Sequence, residues 1–228
     1  MKGILYGVGV GPGDKKLLTL MAVETLKDVD IIVVPDTGGN KNTLKIVNEY
    51  IIDKDVIYCS MPMTREESLL KESRRECADL ICAELEKGLN LAFITLGDPT
   101  IYSTYMYVHR LVISKGYFAK IINGVPSFCA AAAKLGISLC DGKESLHIIP
   151  ASYEGVDEFL DIDGNMVLMK SGKSILKIKE KLTQHNLLNN ASMAECCFME
   201  NEKLYDDLSE LNEESSYFSV IIVKKTKK

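Results

Sequence analysis

The stretch that decides the fold is FITLGDPTIYS, residues 93–103, because a buried apolar strand stops there at a Gly-Asp-Pro turn. Gly97 leaves room for a ligand to approach the backbone, Asp98 offers two acceptor oxygens, and Pro99 fixes the chain direction. Ligands of open α/β sheets bind at such strand ends. The turn therefore predicts a ligand site, although an ordinary loop capped by Asp98 would have the same sequence.

On both sides of this turn, apolar strand patterns alternate with segments of helical spacing. The predicted strands cover residues 4–8, 31–34, 56–59, 91–96 and 120–122, and the predicted helices cover residues 16–27, 43–50, 65–87 and 103–114. Such alternation is typical of a parallel sheet covered by helices on both faces.

The pattern changes after a loop at residues 123–126. A helix is predicted at 127–135, strands at 146–149, 166–169, 192–198 and 217–223, and one amphipathic helix at 175–185. This order favours a mixed or largely antiparallel sheet. We therefore expect an α/β protein with two domains, a parallel-sheet N-terminal domain at 1–123 and a mixed-sheet C-terminal domain at 124–228.

Composition excludes several classes of protein. The 228 residues are 46% hydrophobic and 26% charged, and the net charge of -5 provides no basic field for nucleic acid. No run approaches the roughly 20 apolar residues that cross a bilayer, and Met1 leads directly into a strand instead of a signal peptide. The sequence therefore predicts a cytoplasmic protein that binds neither nucleic acid nor membrane.

The seven cysteines and three histidines show no metal-ligand spacing. No C-x-x-C pair occurs, and the histidines are far apart in the chain. We therefore expect free thiols in a reducing compartment and no metal site.

The first loop, GVGVGPGD at residues 7–14, resembles a nucleotide-binding loop only superficially. In the dinucleotide fingerprint the third glycine would stand at Pro12, and a Walker loop would need Lys followed by Ser or Thr where Asp14 stands. Pro12 lacks an N–H donor and Asp14 adds negative charge, so a phosphate is disfavoured. The loop predicts either a glycine-lined floor for a bulky ligand or a tight structural turn.

Four segments of the chain, taken in order, resemble segments of a known protein family. They are GVGVGPGDKKLLT (7–19), GDPTIYS (97–103), NGVPSFCAAAAKLGISL (123–139) and the segment around 195–202. Together they resemble the tetrapyrrole (corrin/porphyrin) methylase family. Residues 97–151 are most similar to those members that methylate carbon 20 of precorrin-2 or cobalt-factor II in cobalamin biosynthesis, and another methylase of the same pathway is the alternative within the family.

The resemblance implies two α/β lobes, with the active-site cleft between them, and a homodimer. It also implies that S-adenosyl-L-methionine binds in this cleft and that S-adenosyl-L-homocysteine is the product. Any cobalt would belong to the tetrapyrrole substrate. By the family's pattern, the cofactor contacts fall on Val10, Gly97, Asp98, Ile101, Ser127, Phe128, Met169 and Ala194. For Phe128, Met169 and Ala194, plain core packing is the alternative.

The implied chemistry requires positioning and the removal of one displaced proton. Asp98 is the first candidate base and Tyr102 the second, although Asp98 can also serve structure or ligand binding, and solvent can take the proton. Candidate partners for the substrate carboxylates are Arg65, Arg74, Arg75, Arg110 and Lys170, each of which can equally belong to a solvated surface.

Two other classes of function stay open at this stage. The βαβ start suggests an NAD-dependent oxidoreductase, and so does Asp36, which stands where the second strand ends and could bind a ribose. Pro12 in the first loop argues against this function. A non-catalytic binding module is the other alternative.

Overall fold

The computed structural model describes residues 1–37, 42–151 and 156–225. The chain forms two compact units, Met1–Pro126 and Ser127–Lys228. Each contains a five-stranded sheet.

The first unit is a parallel α/β layer structure, as predicted. Its strands are β1 (Ile4–Gly9), β2 (Ile31–Asp36), β3 (Asp55–Ser60), β4 (Leu91–Thr95) and β5 (Phe118–Ile122). Its helices are α1 (Leu20–Asp28), α2 (Asn42–Val47), α3 (Glu67–Glu86) and α4 (Tyr105–Ser114), with 3₁₀ turns at Lys15–Leu17 and Asn48–Tyr50. All pairings in the order β3-β2-β4-β1-β5 are parallel.

The central strands are buried on both faces, which explains their nearly continuous apolar sequence. Phe93 of β4 packs on the face covered by α3 and α4, whereas Ile94 packs on the opposite face, covered by α1 and α2. Successive side chains of a strand point to opposite faces, so each central strand contributes to two cores.

The predicted helix at 16–27 is interrupted at Thr19. The Thr19 hydroxyl accepts the Ala22 N–H at 3.1 Å, so α1 begins only at Leu20. Asp14 caps the preceding 3₁₀ turn in the same way, through the Lys16 N–H at 2.8 Å. Threonine and aspartate at these positions favour helix starts, and the apolar spacing alone did not reveal them.

The second unit contains the mixed sheet that the sequence predicts. Its strands are β6 (Leu146–Pro150), β7 (Asn165–Met169), β8 (Ala191–Glu195), β9 (Lys203–Tyr205) and β10 (Ser219–Val223). Its helices are α5 (Ser127–Leu135), α6 (Val156–Leu160) and α7 (Ile175–Gln184), with 3₁₀ turns at Gly172–Ser174, Leu188–Asn190 and Leu208–Glu210. In the order β6-β7-β10-β8-β9, only the pair β6–β7 is parallel.

The predicted strand at 192–198 ends earlier, at Glu195. Cys196 and Phe198 adopt left-handed backbone conformations, with φ of 48° and 61°, and such residues cannot continue a strand. The Glu202 carboxylate accepts the Phe198 N–H at 2.6 Å and so stabilises the turn.

Among the helices of the described residues, none has the length and apolar character needed to cross a membrane.

Gly7 of β1 lies directly under the ring of Tyr105, the first residue of α4. A Cβ atom added at Gly7 would lie 2.0 Å from Tyr105 Cε1. Tyr105 is fully buried, and its hydroxyl bonds to the Lys120 carbonyl at 3.0 Å and to His109 Nδ1 at 2.9 Å, so the ring is held from several sides. The absence of a side chain at Gly7 thus sets the distance between sheet and helix.

We expect Gly7→Ala to destabilise the protein by about 2 kcal/mol or more, because the held ring cannot retreat without breaking its hydrogen bonds. Gly116→Ala is the matched control: a Cβ there meets open space, and only its φ of 82° is unfavourable, which costs roughly 1 kcal/mol. Urea unfolding measures both. If Gly7→Ala lowered the free energy of unfolding less than Gly116→Ala does, the packing of the Tyr105 ring against Gly7 would not set the distance between sheet and helix.

Candidate functional site

Three strand ends of the first unit meet backbone to backbone at Gly9, Gly97 and Gly124. An added Cβ at Gly9 would lie 2.6 Å from the Gly124 nitrogen and 2.7 Å from the Gly97 oxygen. At Gly124 it would lie 2.2 Å from the Gly97 oxygen. No side chain fits at Gly9 or Gly124, so the loops after β1, β4 and β5 form one closely packed floor at the carboxyl edge of the sheet.

A short antiparallel bridge joins the first loop to the central turn. The Gly97 N–H donates to the Gly11 carbonyl at 2.8 Å, and the Gly11 N–H donates to the Gly97 carbonyl at 3.2 Å. Both glycines have a positive φ, 72° and 73°, which other residues rarely adopt. Val10 lies beside this bridge, fully buried, with its N–H bonded to the Thr95 carbonyl at 2.9 Å.

Asp98 connects the central turn to the loop after β5. One carboxylate oxygen accepts the Thr100 N–H at 2.8 Å and the Thr100 hydroxyl at 2.5 Å. The other accepts the Gly124 N–H at 3.0 Å and the Asn123 side-chain amide at 3.1 Å. Only 6% of Asp98 is exposed, so these four donors replace its water.

These contacts determine the charge state of Asp98. Burial by itself raises the pKa of the carboxyl group, but the donors of Thr100, Asn123 and Gly124 outweigh burial and hold the pKa below its ordinary value. At neutral pH Asp98 is therefore an ionised group with its oxygens engaged. Such a carboxylate is a weak base.

Tyr102 is the strained residue of the same turn. Its φ is 49°, and 42% of the residue remains exposed. Burial of the rest raises the pKa of its hydroxyl above the ordinary value, so the hydroxyl stays protonated at neutral pH. Left-handed conformations of non-glycine residues are concentrated at functional sites. Ile101, which precedes Tyr102, is half-buried.

In the second unit, Met169 and Ala194 lie in one row across the sheet. Both are paired in register with Val220 of β10, which separates β7 from β8. Ala194 is fully buried and Met169 half-buried. Ser127 and Phe128 begin α5, which packs on β8 and β10. The predicted cofactor residues therefore fall into two sets, one in each unit.

Ser171 was not singled out from the sequence, since a serine after a strand is common in loops. It follows Met169 by two residues and is 1% exposed, and its hydroxyl oxygen has no hydrogen-bond partner within the described residues. Lys170 between them has a φ of 59°, and burial lowers the pKa of its amine. A buried polar atom without a partner in a native fold indicates a ligand or a strained site.

No group of three or more His, Cys, Asp or Glu side chains within residues 1–37, 42–151 and 156–225 is arranged to hold a metal ion.

Comparison with known proteins identifies the family. Residues 4–212 match the family model described as Tetrapyrrole (Corrin/Porphyrin) Methylases. The chain belongs to the tetrapyrrole methylase family. This membership confirms the resemblance found in the four sequence segments, and it does not favour an NAD-dependent oxidoreductase.

Two relatives and one solved structure place the chain more closely. A protein of Methanocaldococcus jannaschii named "Probable cobalt-precorrin-2 C(20)-methyltransferase" is 33% identical over 98% of this chain and 97% of its own length. The cobalt-precorrin-2 C(20)-methyltransferase of Salmonella typhimurium is 32% identical over 99% of this chain and 98% of its own length. The uroporphyrin-III C-methyltransferase of Thermus thermophilus, solved in complex with S-adenosyl homocysteine, superposes with a TM-score of 0.72 at 16% identity over 98% of both chains, which confirms the fold.

We expect Asp98→Asn to lower the free energy of unfolding by about 2 kcal/mol or more at pH 7, because an amide in place of one acceptor oxygen would face N–H donors. Thr100→Val, which removes one of the four donors, should cost about 1 kcal/mol and serves as control.

The effect should depend on pH. A carboxyl group with a depressed folded-state pKa stabilises the fold above its unfolded pKa of about 3.9 and loses this contribution as pH falls through the folded value. The difference in free energy of unfolding between wild type and Asp98→Asn should therefore be largest above about pH 5 and decrease below about pH 4. Equal stability of the two proteins at pH 7 would contradict the linking role.

Proposed function

We propose that this protein transfers a methyl group from S-adenosyl-L-methionine to carbon 20 of precorrin-2, in its cobalt-containing form, during cobalamin biosynthesis. The observation that carries this proposal is the similarity, over nearly the whole chain, to two proteins named for that reaction. Both names specify the cobalt form, which favours it over metal-free precorrin-2. We further propose that the protein acts in the cytoplasm as a homodimer.

The proposed cofactor residues have the properties that an adenosyl group and an amino acid moiety require. Val10 and Ala194 are buried and apolar, and Gly97 is a buried glycine that brings backbone without a side chain to the end of β4. The unpartnered hydroxyl of Ser171, two residues beyond Met169, offers a hydrogen bond that the described protein groups leave unused. We propose that Ile101, Ser127 and Phe128 complete the set.

S-adenosyl-L-methionine, when bound, supplies a methyl group already activated by the positively charged sulfur. The protein's contribution is then to orient the two reactants. Effective molarities of roughly 10⁵ to 10⁸ M are reached by good orientation alone, so a rigid floor can supply much of the acceleration. The packing of Gly9, Gly97 and Gly124 provides that rigidity.

One proton leaves carbon 20 when the new carbon–carbon bond forms. Asp98 is poorly suited to take it, because four donors hold its carboxylate and depress its pKa. Tyr102 keeps its own proton at neutral pH because burial raises its pKa. We therefore propose that water takes the proton, that Asp98 positions the loops, and that the Tyr102 hydroxyl orients a reactant as a hydrogen-bond donor.

Incubation with S-adenosyl-L-methionine and either cobalt-precorrin-2 or metal-free precorrin-2 should give a product heavier by one methyl group, faster with the cobalt form. Mass spectrometry of the product, with the methylated carbon located by NMR, measures this. Calorimetry should show micromolar binding of S-adenosyl-L-homocysteine and none of NAD. Methylation of another carbon would assign the protein to a different step of the pathway, and cofactor binding without methyl transfer would favour a binding module.

Tyr102→Phe should lower kcat less than about 10-fold and leave the pH profile between pH 6 and 9 unchanged, because the hydroxyl is protonated throughout this range. Steady-state kinetics across that range provide the measurement. If Tyr102 were the base, wild-type kcat would instead rise with pH toward its raised pKa, and the variant would lose that rise.

A further inference from the structure

Two arginines of the first unit share one tyrosine ring. The Arg74 guanidinium carbon lies 3.8 Å from the centroid of the Tyr107 ring, and that of Arg110 lies 5.3 Å from the same centroid. Arg74 belongs to α3, whereas Tyr107 and Arg110 lie three residues apart on one face of α4. Both cations are within the distance at which an aromatic ring attracts them.

The side chain of neither arginine forms an ion pair or a hydrogen bond with another described residue. Two lysines on the same helices or directly after them do form ion pairs: Lys71 pairs with Glu67 at 3.0 Å and Lys115 with Asp79 at 2.7 Å. The pKa of Glu67 is lowered chiefly by Lys71, with Arg74 a lesser and more distant influence. Arg65 and Arg75 likewise lack a carboxylate partner among the described residues, so what distinguishes Arg74 and Arg110 is the tyrosine ring that they share.

The arginine pair also has an energetic cost, which the attraction of the Tyr107 ring offsets only in part. The Arg74 Nε atom is shielded from solvent and has no hydrogen-bond partner among the described residues. Two like charges beside one ring repel each other. An anion that received donors from both guanidiniums would relieve the repulsion.

The two helices that carry the pair both begin at the edge of the sheet where the Asp98 turn lies. Both α3 and α4 begin after the carboxyl end of a strand, β3 and β4 respectively, and run back along the sheet. Arg74 lies in the first half of the 20-residue α3, and Arg110 lies just past the middle of the ten-residue α4; long side chains of a helix point back toward its N-terminus, which for both helices is at this edge. The turn of Asp98 leads directly into α4.

We propose that Arg74 and Arg110 form a carboxylate-binding site, oriented by Tyr107, which holds one acidic side chain of the tetrapyrrole substrate. The ligand class rests on the proposed function, whose substrate carries several carboxylates. Guanidinium groups match carboxylates in planar geometry and donate two parallel hydrogen bonds, and they are more weakly hydrated than ammonium groups. The flat ring of Tyr107 restricts both side chains and so reduces the entropy lost on binding.

The test measures binding of uroporphyrin, a porphyrin octacarboxylate, by fluorescence titration. Arg74→Gln and Arg110→Gln should each raise the Kd for uroporphyrin about 10-fold or more, because each removes charge-assisted hydrogen bonds. Arg75→Gln is the matched control: Arg75 adjoins Arg74 on α3, is exposed, and points to another part of the helix surface. All three variants should bind S-adenosyl-L-homocysteine with wild-type affinity.

Tyr107 provides a second test that does not change charge. Tyr107→Phe keeps the ring and should retain uroporphyrin binding, whereas Tyr107→Leu should weaken it. Tyr107 and Arg110 are exposed, so these variants should remain folded even if Arg74→Gln does not, and thermal denaturation checks this. Uroporphyrin binding by Arg110→Gln and Tyr107→Leu equal to that of Arg75→Gln would overturn the proposal.

Methyl transfer by the unaltered protein separates this site from the proposed function. If cobalt-precorrin-2 is methylated at carbon 20 and Arg110→Gln leaves its KM unchanged, the arginine site is refuted while the function stands. If no tetrapyrrole is methylated but Arg74→Gln and Arg110→Gln still weaken uroporphyrin binding, the carboxylate site stands and the proposed reaction fails.

Discussion

The fold of the first unit depends on one ionised carboxylate that is removed from water. Asp98 accepts hydrogen bonds from Thr100, two residues away, and from Asn123 and Gly124, at the far end of the next helix and strand. Burial of a charge is costly unless donors replace its hydration, and here four do. Because the Gly124 N–H must reach Asp98, the loops after β4 and β5 approach so closely that Gly9 and Gly124 cannot carry side chains. The absence of side chains at Gly9 and Gly124 is thus what allows the Gly124 N–H to reach the carboxylate.

The same interaction explains why a βαβ start with a glycine-rich loop does not produce a dinucleotide site. Phosphate sites depend on free backbone N–H groups at the carboxyl edge of a sheet. In this chain the Gly124 N–H is bonded to Asp98, the Gly11 and Gly97 N–H groups are bonded to each other's carbonyls, and Pro12 has no N–H. The fixed negative charge of Asp98 further disfavours phosphate. What remains is a rigid, apolar and glycine-lined surface, suited to a bulky ligand without phosphate groups.

The sequence predicted the layer architecture because burial on both faces leaves a local trace. The apolar runs at 31–34 and 91–96 are typical of central strands of a parallel sheet, and the mixed second sheet was predicted from the changed order of strands and helices after the loop at 123–126. Features that depend on contacts between residues far apart in the sequence could not be predicted. Nothing near Asp98 reveals that Gly124 binds it, apolar spacing did not show the left-handed Cys196 and Phe198 that end β8, and the missing partner of Ser171 is visible only in three dimensions.

The Asp98 turn and the proposed carboxylate-binding site lie on different parts of the first unit and are under different structural constraints. The Asp98 turn and its glycines are backbone features, and backbone geometry can be shared by proteins that methylate different tetrapyrroles. The outer surfaces of α3 and α4 carry no such constraint, because Arg74, Tyr107 and Arg110 are not needed to close the core. Side chains on these helices can change while the turn stays fixed. If the proposed arginine site holds the substrate, a protein of this family could alter which carboxylates it recognises without rebuilding the turn of Asp98 and its glycines.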